Sequence, residues 1–135
     1  HLHLPQFEII GAHGLPLLDW LERVTFPTEQ RWQDVDYARA ISNKVFDQCL
    51  AHGTTGICAY ATVHHASAEA ALELATQRGL RGVIGQVLMD RNAPDFLLGE
   101  ASQLIDQAGE LQAKFPSSGR MAAAVTPRFA ISCTG

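Results

Sequence analysis

The sequence predicts an α/β fold built on a parallel sheet, because short β-rich runs alternate with helix-period runs from Gly53 onward. Two further features agree. The expected strands are apolar almost throughout, as strands covered on both faces must be. The runs between them repeat apolar residues every three or four positions, which buries one helical face against a sheet.

Taken in order, the first thirty residues contain Pro5, Gly11, Gly14, Pro16 and Pro27, which interrupt regular structure and leave one short helical candidate around Leu17 to Val24. A connection this long is usually functional or disordered. Because it holds Trp20, Phe26 and several leucines, an ordered excursion that walls a pocket is expected. Ala38, Ile41, Val45 and Cys49 form the stripe of the next helix. Strands are expected over 54–62, 82–89 and 121–125. In the helix between the first two of these, Ser67 stands where an N-cap belongs and Gly79 where a left-handed residue ends the helix. The last helix carries Leu97, Ala101, Leu104, Ala108, Leu111 and Phe115 on one face.

A net charge of −4 with no run of Lys or Arg excludes an electrostatic footprint for nucleic acid or an anionic membrane, so a small, nearly neutral substrate fits better. Hydrophobic residues at 47% and charged residues at 18% are too apolar for a disordered chain. Cys49, Cys58 and Cys133 are odd in number, widely spaced and without a CxxC pair, and read as reduced thiols. No apolar run approaches the roughly 20 residues of a bilayer span, and no signal-peptide pattern opens the chain, so the expected location is cytoplasmic.

The opening His1-Leu2-His3 is the sharpest local signal. In a strand, residues two apart share a face, so both imidazoles can converge on one metal ion, and neutral imidazole suits Zn²⁺. By itself the spacing also suits two structural histidines.

The run His1-Leu2-His3-Leu4-Pro5-Gln6 resembles the H-x-H-x-P-Q segment of guanine deaminases in the amidohydrolase superfamily. Five further stretches are similar to the same family: 17–21 (LLDWL), 25–29 (TFPTE), 43–55, 89–92 (MDRN) and Val125-Thr126-Pro127-Arg128-Phe129-Ala130. The resemblance covers essentially the whole chain, and the last motif is specific to guanine deaminases among amidohydrolases. It departs at Ile131, where the family often has proline, and at His65 after His64.

The resemblance implies a partial (β/α)8 TIM barrel of the metal-dependent amidohydrolase type, with residues 1–135 supplying about strands 1–4 and their helices. A whole barrel takes roughly 250 residues, so the chain is expected to be a fragment with about half missing. HxH would end the first strand and Pro-Arg-Phe the fourth, both at the C-terminal face where barrel enzymes place their sites. The implied activity is zinc-dependent hydrolysis of guanine to xanthine and ammonia, by a homodimer when full length. By position, His1 and His3 would bind Zn²⁺, and Gln6, Arg128 and Phe129 would contact the base. An amide offers both donor and acceptor, a guanidinium a planar fork of donors, and a phenyl ring a stacking face. Blander roles also suit these residues: Arg128 in a rim ion pair, Phe129 in the core, Gln6 in a turn. His64 and His65 read as loop residues near the mouth, or as residues that support the site from behind, rather than as ligands; His13 and His52 read as structural, Trp20 as a pocket wall and Asp90 as non-catalytic.

The remaining ligands and the proton-shuttling glutamate of the family lie beyond position 135, so no catalytic residue is expected within the chain. Two alternatives stay open. One is a related amidohydrolase acting on another amine-bearing ring; the other is a non-catalytic half-barrel.

Overall fold

A computed structural model describes residues 1–135. The N-terminal excursion is helical over most of its second half. Helix α1 (Leu17–Trp20) runs through a wide π turn at Leu21–Thr25 into α2 (Phe26–Gln30) and a 3₁₀ turn at Arg31–Gln33. The short helix expected to stop near Val24 therefore continues. Pro27 falls in the first turn of α2, where a missing N–H costs little, and the π turn before it carries the Phe26 N–H to the Leu21 carbonyl.

Helix α3 (Val35–Ala51) starts at Asp34, whose carboxylate accepts from the N–H groups of Asp36 at 2.9 Å and Tyr37 at 3.2 Å. Helices α4 (His65–Gln77) and α5 (Ala101–Lys114) follow. Strands β1 (Leu2–His3), β2 (Gly56–Tyr60), β3 (Arg81–Leu88) and β4 (Met121–Pro127) pair in parallel in chain order, as the first four strands of a barrel do. Parallel neighbours require crossovers, and each here carries a helix.

One contiguous core lies between that helical layer and the sheet. Ile41, Val45 and Phe46 of α3 and Leu72 and Ala75 of α4 meet Ile57, Ala59 and Ile84 of the strands. On β2 the burial alternates, with Ile57 and Ala59 buried and Cys58 between them exposed. The expectation of strands covered on both faces is thus corrected for β2, where Cys58 faces outward, whereas Ile84, Gly85, Gln86 and Val87 of β3 are all buried.

Two helix boundaries differ from those the sequence predicts. Helix α4 begins at His65 with His64 as its N-cap, while Ser67 lies buried in the first turn. Its hydroxyl donates to the Trp32 carbonyl at 2.6 Å, so a tertiary acceptor replaced the helix end. Gly79 does adopt the left-handed conformation, at φ +71°. The last helix is split. Asp95–Leu97 is a single 3₁₀ turn, and α5 starts afresh at Glu100, whose carboxylate accepts from the Gln103 N–H at 3.0 Å. Leu97 continued the helical spacing by coincidence and is buried instead with Val87 and Met89.

Candidate active site

The register of β1 on β2 places Leu2 beside Ala59 and His3 beside Tyr60. Leu2 packs on the core, so His1 and His3 project from the opposite face of the strand. Their ring centroids lie 5.2 Å apart, and Tyr60 packs edge-on against both, at 5.1 and 4.7 Å. Two imidazoles on one tetrahedral zinc, with metal–nitrogen distances of about 2.0–2.1 Å, place their centroids about 5 Å apart, so the pair fits one ion. His1 Nδ1 lies 3.0 Å from the Cys58 carbonyl, which takes its N–H and leaves Nε2 free as a ligand atom. Burial, and after it the nearby Arg128 charge, lowers the His3 pKa to about 4, so its ring is in the neutral, ligating form at neutral pH. No third His, Cys, Asp or Glu joins them in a cluster of three.

Gln6 lies in the 3₁₀ turn Leu4–Ile9 that leaves β1. Its Nε2 donates to Glu29 Oε1 at 3.5 Å, and the other oxygen of Glu29 pairs with Arg128 Nη1. Both charged residues are buried, Glu29 at 4% and Arg128 at 6% exposure. Each is therefore neutralised by the other, and removing one partner of such a pair costs about 3–5 kcal/mol. The Arg128 guanidinium also lies 5.7 Å from the Phe26 ring centroid, and its Nε is buried without a partner.

The five expected site residues divide between two cavities. One, of about 600 Å³, is lined by His1, His3, Gln6 and Trp20; the other, of about 440 Å³, by Phe26, Arg128 and Phe129. Glu29 bridges them, touching Gln6 on one side and Arg128 on the other. Phe129 is 53% exposed, so its ring is a free face rather than core. The loops after β3 and β4 are tied together: Asn92, at φ +54°, donates to the Ile131 carbonyl at 2.5 Å, and the Asp90 carboxylate accepts from the Thr134 N–H at 2.9 Å.

Residues from both ends of the chain thus lie at the C-terminal end of the sheet. The amidohydrolase family model matches residues 1–135, the whole chain. The chain belongs to the amidohydrolase family. Among curated amidohydrolases it is 45% identical over 130 residues to guanine deaminase of Escherichia coli, a match covering 96% of this chain and 30% of that protein. The solved structure of E. coli guanine deaminase superposes with a TM-score of 0.94 at 44% identity, over 99% of this chain and 31% of that one. A guanine deaminase from C. acetobutylicum with guanine bound in its active site superposes at 0.93 and 29% identity, over 98% and 33% of the two chains. The chain thus spans about a third of the relatives it matches, and its four strands form part of a TIM barrel.

The other residues singled out in this amidohydrolase chain sit apart from the imidazole pair. His65 is the first residue of α4, which corrects only its placement in a loop; its Nδ1 meets Gln86 Oε1 at 3.1 Å and its Nε2 lies 3.4 Å from Glu110. His64 is half-buried, its Nε2 lacks a partner, and burial lowers its pKa. His13 and His52 are exposed and bond to backbone carbonyls of Gly11 and Gln48, both at 2.8 Å. Trp20 does line a cavity wall, held by its indole N–H on the Ala12 carbonyl at 2.8 Å. Sequence reasoning missed Glu29 and Tyr60. Glu29 stands inside the motif at 25–29, but only its burial against a distant arginine distinguishes it from a solvated helical glutamate.

Proposed function

We propose that this chain is the N-terminal part of one catalytic barrel, about strands 1–4 with their helices, in a longer enzyme that hydrolyses guanine to xanthine and ammonia. The observation that carries the reading is that the HxH pair, Gln6 and Arg128 lie at the C-terminal end of the sheet, with Gln6 and Arg128 linked through Glu29, in a chain so similar to guanine deaminases. His1 and His3 would hold Zn²⁺, with the remaining ligands supplied from outside residues 1–135. Zinc, when bound, supplies a water acidified toward a pKa of about 7.

The chain's own residues do the rest of what it contributes. The Cys58 carbonyl orients His1, and Tyr60 confines both rings. Arg128 offers guanidinium N–H groups to the acceptors of a purine, Gln6 reads a neighbouring position, and Phe129 stacks on the flat ring. Buried donors that need a partner discriminate strongly against bases lacking one. No residue of this chain is assigned proton transfer. The reading extends to a small-molecule substrate rather than nucleic acid or a membrane, and to a cytoplasmic homodimer. No helix is long and apolar enough to cross a membrane.

The test is ammonia release by the full-length protein over a panel of ring amines: guanine, an aminotriazine, a pterin and cytosine. Guanine is expected to give the highest kcat/KM. A clear preference for any other ring would replace guanine as the substrate, and no release from any of them would favour a non-catalytic role.

A further inference from the structure

Glu29 is a buried carboxylate with two partners and no solvent to serve as a third, at 4% exposure. An ionised carboxylate only accepts hydrogen bonds, so any amide turned toward it must present its NH₂ end. That constraint sets the polarity of Gln6. With Nε2 spent on Glu29 Oε1, the group left to face the cavity is Gln6 Oε1, an acceptor. The same carboxylate takes Arg128 through Nη1, leaving donors on the other edge of the guanidinium, including the unpartnered Nε.

We infer that Glu29 is a positioning residue that sets substrate specificity: it orients Gln6 as an acceptor and Arg128 as a donor, selecting rings that present a donor to Gln6 beside an acceptor for Arg128. The inference rests on the functional reading above and deepens it. Guanine carries such an edge, an N–H adjoining a carbonyl, whereas a ring without the N–H leaves Gln6 Oε1 unpaired. Glu29 does not touch the substrate. Its effect reaches the base only through two side chains that are 23 and 99 residues away in sequence.

The test uses the full-length protein with Glu29→Gln and Glu29→Asp. A glutamine at 29 replaces one of the two acceptor oxygens by an NH₂ donor, so it cannot accept from both partners where they stand, while aspartate keeps both acceptors on a shorter arm. For Glu29→Gln, KM for guanine is expected to rise at least about tenfold with kcat within about threefold; Glu29→Asp is expected to recover most of that loss. Tenfold corresponds to about 1.4 kcal/mol, close to the lower end of what a charge-assisted hydrogen bond contributes. An unmoved KM in folded Glu29→Gln, or equal loss of kcat and KM in both variants, overturns the positioning role while the guanine reading stands. Failure of the unmutated protein to turn over guanine overturns both. Should Glu29→Gln not fold, the structure of the unmutated protein with guanine bound decides: Glu29 must still bridge Gln6 and Arg128, and finding it swung away from either overturns the inference.

Discussion

The His3 imidazole shows how one residue's surroundings select its chemistry. Burial first and the Arg128 charge second hold its pKa at about 4, against 6.5 for a free imidazole. Between those values the unfolded chain binds a proton that the folded chain does not, so acidification favours unfolding in this window. His64, lowered by burial, acts in the same direction. The expected outcomes are a His3 midpoint near 4 in an NMR titration of the metal-free protein and a urea midpoint that falls between about pH 7 and about pH 5. A His3 midpoint near 6.5 would contradict the burial and charge just described. The residues proposed to hold the metal and contact the base are legible in the sequence as types, since HxH and Pro-Arg-Phe are compact motifs. Glu29 is not legible there as a site residue, because its two partners come from a turn and a strand end far away in the chain.

At the scale of elements, β2 and β3 approach so closely that Gly82 has no alternative. Its φ is +135°, and a Cβ there would lie 1.8 Å from the Ile57 carbonyl oxygen, which is backbone and cannot turn aside. Gly82→Ala is therefore expected to destabilise the protein by at least about 2 kcal/mol, seen as a lower denaturant midpoint; strain at such a position alone costs about 1–3 kcal/mol. Retention of the parental midpoint would show that the strands can separate there. Strand and helix identities followed from periodicity, as did Gly79 at the end of α4. Boundaries did not, for local reasons: Ser67 found the Trp32 carbonyl, Glu100 rather than Asp95 began a lasting helix, and a π turn carried the chain past Pro27.

For the whole molecule, the exposed sheet face and the two-imidazole pair have a common consequence. Helices cover one side of the strands, while Cys58 on the other side of β2 is exposed and Val125, on the helical side of the edge strand β4, is 55% exposed. A catalytic zinc site needs three protein ligands, and the proposed site draws only two, His1 and His3, from this chain. The purified 135-residue chain is accordingly expected to release no ammonia from guanine and to bind zinc weakly, losing it to a mild chelator. Turnover of guanine by that chain alone, followed as ammonia release, would refute the division of the site between this part and the rest of the barrel.

The sequence by itself determined the alternation of strands and helices, the face shared by His1 and His3, and the family, because period-two and period-3.6 patterns and short motifs are local properties. Only the tertiary structure decided that Gln6 of one cavity and Arg128 of the other meet on one buried carboxylate, and which face of β2 lies bare. Those are contacts between residues 23 to 99 positions apart, set by the parallel pairing of four strands rather than by any neighbouring side chain.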